Sequence, residues 1–310
     1  MMASLFEYLK RTQTFLRDGN QMLVDVGDLI QNVNEARREV AMRAQCVRVL
    51  PPISAPIISA DIINGGTRYT APTVSISSPD SPGGKLLNPN GAQAVGTATQ
   101  AGGVIDNIYI TFGGDGYFQP VIQINDPTGT GAVIQPNLGP ILQANTFQEQ
   151  YNFADVDLSV FPGVESIYAV LDVSIIYATS RYSVLIYSFP QYQALIRNYS
   201  AGAYYYIPVM GSQFGRGAKG SFFLYPPPSQ NLQMEWDCVC LPSDLTSDLS
   251  IEAIPAPWDD AVPYYAAHLA FLGLLNFNAA KLYKDLFDER VKRFGSYALP
   301  GRATSMYGRP

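Results

Sequence analysis

A duplicated twelve-residue segment constrains this chain more than any other feature. GGTRYTAPTVSI (Gly65 to Ile76) aligns without gaps on GGDGYFQPVIQI (Gly113 to Ile124), at a constant offset of 48 residues. Gly65/Gly113, Gly66/Gly114, Tyr69/Tyr117, Pro72/Pro120 and Ile76/Ile124 match, and Val74 falls on Ile122. Each copy follows an alternating run, ISADII or VIDNIYITF. The grammar is a strand, a Gly-Gly turn, a Tyr covering the turn, a Pro at a strand edge and a returning strand. Two such units predict a small β module with pseudo-symmetry.

The flanking sequence differs in kind, which marks residues 53–139 as an insertion. Ser4 caps a first predicted helix through Arg17, with Leu5, Leu9 and Leu16 among its apolar positions and Gly19 as the stop. Asp28 is the expected N-cap of a second, ended by Pro51-Pro52. Leu29, Val33, Ala36, Val40 and Val47 trace its apolar stripe, leaving Glu35, Arg37, Arg38, Glu39 and Arg43 to the surface. Residues 140–258 carry Tyr- and Phe-rich alternating runs such as YSVLIYSF and LQMEWDCVCLP, an antiparallel sheet by pattern. QYQALIRNYS reads as a short helix within it. Asp259 or Asp260 caps a long predicted helix over 259–295, with Pro263 in its first turn and Gly295 closing it, before an extended basic tail at 296–310. The expected fold class is α+β. A helical core of the N-terminal helix pair (1–52) and the long C-terminal helix carries an antiparallel β domain and the inserted β-repeat module.

Composition narrows the function. At 310 residues, two domains are a better expectation than one. Only 15% of residues are charged, against an average of about 25%. A net charge of −6 argues against a general nucleic-acid binder, which needs excess Lys and Arg to neutralise phosphates. The charge is uneven. From Ile141 to Asp260 twelve acids face four bases, whereas from Arg290 to Pro310 there are five bases and no acid. The N-terminus lacks a signal-peptide pattern, and no apolar run reaches the roughly 20 residues of a membrane span, so a soluble cytosolic product is expected. Cys46, Cys238 and Cys240 are too few for a disulfide framework and read as buried thiols.

No catalytic constellation assembles. The single histidine, His268, lies in an apolar helical run and reads as structural. Without a Cys-x-x-Cys there is no zinc signature, and no cofactor or metal is expected. GGDGYF and FGRGAKG lack the strand–loop–helix context of a phosphate loop, and FGRGAKG reads as a mobile hairpin tip. Asp155-Val156-Asp157 lacks the Gly and distal Glu of a calcium loop. Asp259-Asp260 reads as helix capping, and Tyr204-Tyr205-Tyr206 as subunit packing.

Two segments carry a resemblance. LRDGNQMLVDVGDLIQNVNEARREVAMRAQCVRVL, and LYPPPS followed by LPSDLTSDLSIEAIPAPWDDAVPYYAAHLAFLGLLNFNAAKLYKDLFDERVKRF, resemble the opening and closing parts of head-to-tail adaptor (gatekeeper, connector) proteins of tailed bacteriophages. The Gly-Gly-x-x-Tyr repeat is similar to small β modules inserted into phage virion proteins, departing from them at Arg68, where Gly is usual. The resemblance implies a non-enzymatic virion protein at the head–tail junction, assembled in the host cytoplasm, with no membrane. It implies a homo-oligomeric ring, a dodecamer, between the portal protein and tail nozzle or tail tube proteins, with tail fibres as further neighbours and double-stranded DNA passing through. On that reading Arg290, Lys292, Arg293, Arg302 and Arg309 bind the portal, and Asp155, Asp157 and Asp172 line the channel. A tail-associated receptor-binding or fibre-anchoring protein, and a carbohydrate-degrading tail enzyme, are the alternatives.

Overall fold

The structure is a computed structural model that describes residues 4–19, 23–80, 91–177, 180–198 and 207–298. Two helices open the chain, α1 (Leu5–Leu16) and α2 (Val26–Ala44), followed by the short strand β1 (Arg48–Val49). Six strands then form the module: β2 (Ile57–Thr67), β3 (Thr73–Ile76), β4 (Val95–Ala101), β5 (Val104–Phe112), β6 (Ile122–Asn125) and β7 (Thr130–Leu138). The body continues with β8 (Gln143–Ala144), β9 (Gln150–Asn152), β10 (Val164–Tyr177), β11 (Ser180–Ser183), β12 (Leu185–Tyr187) and helix α3 (Phe189–Asn198). It closes with β13 (Met210–Phe214), β14 (Ser221–Tyr225), β15 (Leu232–Pro242), α4 (Val262–Gly273) and α5 (Phe277–Ala298).

The expected helical core is overturned. The chain is mostly β, 35% strand against 30% helix, and its centre is a curled antiparallel sheet. β15 runs between β1 and β10, with β11 beyond β10, while β12–β13–β14–β9 form a second sheet. Register shifts along the β10–β15 pair, between Val164/Ser166, Ile167/Ala169 and Val170/Asp172, curl the first sheet. Trp236 on β15 is fully buried and ringed by Tyr151, Phe153 and Phe222 at centroid distances of 6.4, 5.9 and 5.6 Å. Leu232, Met234, Cys238 and Cys240 flank it on the same strand face. The helices cover this sheet instead of forming the core themselves. Helical propensity is local, but the helices bury their large side chains, Tyr8 and Phe287 among them, in the same core as Trp236 and Phe222 of the strands, so they act as a cover on the sheet.

The single long C-terminal helix is also corrected. Leu275 adopts a left-handed φ of 58° and Asn276 Oδ1 accepts the Ala279 N–H, so one helix ends and a new one is capped within three residues. α4 and α5 fold back on each other, and His268 Nδ1 bonds the Ala280 carbonyl at 2.8 Å across the pair. α5 runs past Gly295 to Ala298. At the N-terminus Ser4 and Glu7 form a reciprocal capping box on α1. Asp25, not Asp28, caps α2, through Gly27 N–H at 2.8 Å, and that helix stops at Ala44 with Gln45 left-handed, well before Pro51.

The module has its own buried cluster, including Ile57, Tyr69, Ile105, Tyr117, Ile122 and Ile134. Its strands do not return on themselves as expected. β2 pairs with β7 and β4 with β5, while β3 pairs with β6 in the symmetric register Val74↔Ile124, Ile76↔Ile122. The two units are therefore swapped through each other about a pseudo-twofold axis. Each repeated Tyr seals the other unit: Tyr69 Oη accepts the Ala132 N–H at 3.1 Å and Tyr117 Oη the Ala94 N–H at 2.8 Å. Gly66 and Gly114 have φ of 65° and 66°, and a Cβ on either would strike backbone of the partner strand entry, near Thr130 and Ala92. That double demand explains the repeated glycines.

Candidate functional site

The acids singled out from the sequence lie exposed on the surface of the β body. Asp155, in the helical turn Phe153–Asp155, and Asp157 share a groove of about 610 Å³ with Glu165. Both aspartates are exposed. The Ser159 hydroxyl and backbone N–H hold Asp157 below the usual carboxylate range. Asp172, also exposed, lies on β10 in an adjoining groove of about 610 Å³, with Phe161 common to both.

This second groove alternates in charge. Arg48 pairs with Asp237, and Arg181 with Glu235 at 3.1 Å, leaving Asp172 as the carboxylate without a guanidinium partner among the described residues. Arg48 reaches the sheet from the N-terminal part of the chain. The same happens elsewhere: Arg37 pairs with Glu252, Arg38 with Asp244 and Arg11 with Asp260. Five of the twelve acids counted between Ile141 and Asp260 are thus held by arginines, four of those arginines coming from residues 11–48. The local surplus of carboxylates is much reduced by the fold. Seven of the twelve have no arginine partner among the described residues, and four of these, Asp155, Asp157, Glu165 and Asp172, line the two adjoining grooves.

Arg37 departs furthest from its expected place. Its side chain is fully buried, with Nε and Nη2 on Glu252 at 2.9 and 2.8 Å, and Nη1 on the Asn34 side chain and the Ser243 carbonyl. Spacing held the signal, because position 37 lies one turn from Val33 and Val40. Nearby, the buried Tyr8 hydroxyl has no hydrogen-bond partner, and burial and then Glu252 raise its pKa. Asp259 and Asp260 do not cap α4. They lie in the turn Trp258–Ala261, where Asp260 accepts from Arg11 at 2.5 Å and burial, then Asp260, raises the pKa of Asp259.

The basic set is divided. Arg290, Lys292 and Arg293 lie on helix α5, within the stretch expected to be helical. Arg290 stacks 4.1 Å from the Tyr264 ring centroid and donates to its hydroxyl at 2.6 Å, Arg293 pairs with Glu289, and Lys292 is exposed. Arg302, Arg309 and Tyr204-Tyr205-Tyr206 lie outside the described residues. All three cysteines are free and buried, and burial pushes Cys46 and Cys240 up to about 12, so none is a reactive thiolate at neutral pH. FGRGAKG forms the tip of the β13–β14 hairpin, with Gly215 and Gly217 at positive φ. Among the described residues no three His, Cys, Asp or Glu side chains converge, and no helix is long and apolar enough to cross a membrane. Neither a protein-family model nor a curated protein matches the chain.

Proposed function

We propose that this chain is a non-enzymatic structural protein of a tailed-phage virion: a head-to-tail adaptor, repeated as a ring between portal and tail, through which double-stranded DNA passes. The observation that carries the reading is the packing of the two segments bearing the resemblance. α1 and α2 from one end of the chain, and α4 and α5 from the other, form one helical layer over the sheet.

That layer exposes apolar side chains at both ends. Leu274, Leu275, Phe277 and Leu282 crowd the α4–α5 turn, with Leu275 73% and Phe277 64% exposed. Phe6, Leu249 and Ile251 are exposed near the start of α1, where Phe6 N–H bonds Asp248. Two different apolar patches suit a head-to-tail contact between copies, which closes into a ring when the rotation allows. Portal and tail nozzle or tube proteins are the proposed neighbours, with tail fibres beyond, and Arg290, Lys292, Arg293, Arg302 and Arg309 the proposed portal contacts. Asp155, Asp157 and Asp172 are the proposed channel-facing acids, and assembly in the host cytoplasm precedes incorporation at the head–tail junction.

Electron microscopy of the purified protein, alone and mixed with its portal, tests this. Closed rings stacked coaxially on the portal are expected. A chain that stays monomeric and leaves the portal undecorated at micromolar concentration overturns the reading.

A further inference from the structure

The structure assigns a second site, at the junction of the β module and the body: we infer that the uncharged, carboxamide-lined cleft beside Phe118 binds a neutral polyhydroxylated ligand, a glycan. This goes beyond the adaptor reading and does not depend on it.

The cleft has a volume of about 460 Å³, within the range of small-ligand sites. It is bounded on the module side by Phe118, Gln119, Pro120 and Gln135, and on the body side by Ile141, Gln143 and Asn231. None of its lining residues is charged. The grooves at Asp155, Asp157 and Asp172 contain carboxylates, so this is a chemical distinction. Among the described lining residues an acidic ligand finds no cation and a basic one no carboxylate; the neighbouring Asp61 and Asp80 are already bonded, to Asn137 and to the Phe118 and Gln119 N–H groups.

Each carboxamide offers both a donor and an acceptor, which matches hydroxyl groups that also do both. Asn231 Oδ1 is taken by the backbone N–H and hydroxyl of Thr146, both at 2.9 Å, which fixes the side chain and leaves its NH₂ to donate. The Phe118 ring with Pro120 and Ile141 supplies the apolar surface against which the C–H face of a sugar ring packs.

The repeat sharpens the assignment. Asp80 Oδ2 accepts the N–H groups of Phe118 and Gln119 at 2.7 and 3.0 Å. At the equivalent place in the other unit, Asp126 Oδ2 accepts those of Thr70 and Ala71 at 2.9 and 2.6 Å. The carboxylate-held loop is thus built twice, from the same parts. Only the copy that faces the body carries an aromatic ring and a carboxamide. The copy that faces away carries Thr and Ala. Both loops are held alike by their carboxylates, so the ring and carboxamide of this copy serve the junction cleft and not the loop's own fold.

The test uses the full chain on an array of neutral and acidic glycans, followed by saturation-transfer NMR with the best neutral oligosaccharide. Binding to neutral glycans is expected, weakened at least roughly tenfold in Gln119→Ala/Gln135→Ala, whose side chains are exposed and whose loss leaves the module fold in place. A Phe118→Leu variant, which keeps apolar packing at the junction, should lose affinity while retaining the wild-type melting temperature. Absence of binding, binding confined to acidic glycans, or affinity unchanged in the Gln119→Ala/Gln135→Ala protein overturns the assignment. So does a loss of melting temperature in Phe118→Leu with full glycan affinity, which makes Phe118 a packing residue only.

Discussion

At the scale of single residues, the buried Arg37–Glu252 pair holds α2 to the segment after β15. Removing one partner strands a charge where neither side chain is more than 1% exposed. Arg37→Met should therefore cost about 3–5 kcal/mol in urea unfolding. An Arg37→Met protein as stable as the parent would mean that the interior relaxes to admit water to Glu252. Tyr8→Phe removes the unpartnered hydroxyl beside this pair and should be neutral or stabilising by about 1 kcal/mol. Asp126 gives a pH signature. The Thr128 backbone N–H first, then the Thr128 hydroxyl and the Ala71 and Thr70 N–H groups, hold it well below the usual range. A carboxyl whose folded pKa is depressed stabilises the fold above its unfolded value, near pH 4, and loses that contribution as pH falls through the folded value. Amide exchange at Thr70 and Ala71 should accordingly be pH-insensitive above about pH 5, after correction for intrinsic exchange. It should accelerate in more acid solution, and in Asp126→Ala it should already be fast at neutral pH.

Among elements, the swapped module makes the sharpest demand. Gly114 and Gly102 both have positive φ, but only at Gly114 would a Cβ meet backbone, at Ala92 and Ala94. Gly114→Ala should therefore cost well over the roughly 1 kcal/mol of conformational strain expected at Gly102→Ala. Equal costs in thermal unfolding would show that the strand entry at residues 92–94 yields. The module enters and leaves the body side by side, with Leu142 N–H on the Pro52 carbonyl at 2.7 Å and Gly139 N–H on Pro56 at 3.0 Å. Deleting residues 53–139 with a short linker should leave a cooperatively folding body. A deletion protein that is insoluble at every linker length would show the two cores to be one. The module was legible in outline because its repeat displays itself, although Gly65-Gly66, expected as a turn, lies inside strand β2. Its pairing of β2 with β7 was not, because no short-range signal distinguishes a hairpin from a swap between copies of itself.

For the molecule as a whole, the charge pattern decides the test of the channel reading. Four arginines from residues 11–48 and Arg181 neutralise five acids of the body, so the remaining field arises from a few exposed carboxylates. Repeated around a ring, Asp155, Asp157 and Asp172 would still repel phosphates and keep DNA mobile. Reversing all three to Lys should slow genome ejection at low ionic strength, with recovery as salt screens the attraction. Reversed rings that assemble and eject at the parental rate in low salt would remove that role.

What the sequence by itself determined is the local matter. Ser4 as the cap of α1, the repeated glycines and tyrosines and the composition break at residue 53 all rest on residues close in the chain, or on a repeat that displays itself, whereas Tyr69 and Tyr117, expected over their own turns, seal the other unit. Only the tertiary structure decided which layer is the core, where one C-terminal helix becomes two, and which acids keep their charge uncompensated. Gly273-Leu274-Leu275-Asn276 contains the break, yet an apolar run reads as continuous helix until α5 has a face of α4 to fold against. Arg37 looked like surface for the same reason: helical spacing places it on the buried stripe, but a guanidinium can occupy that stripe only because Glu252, 215 residues away, is brought to meet it. Charges and cores are settled by partners distant in sequence, and their energies exist only once the chain has closed on itself.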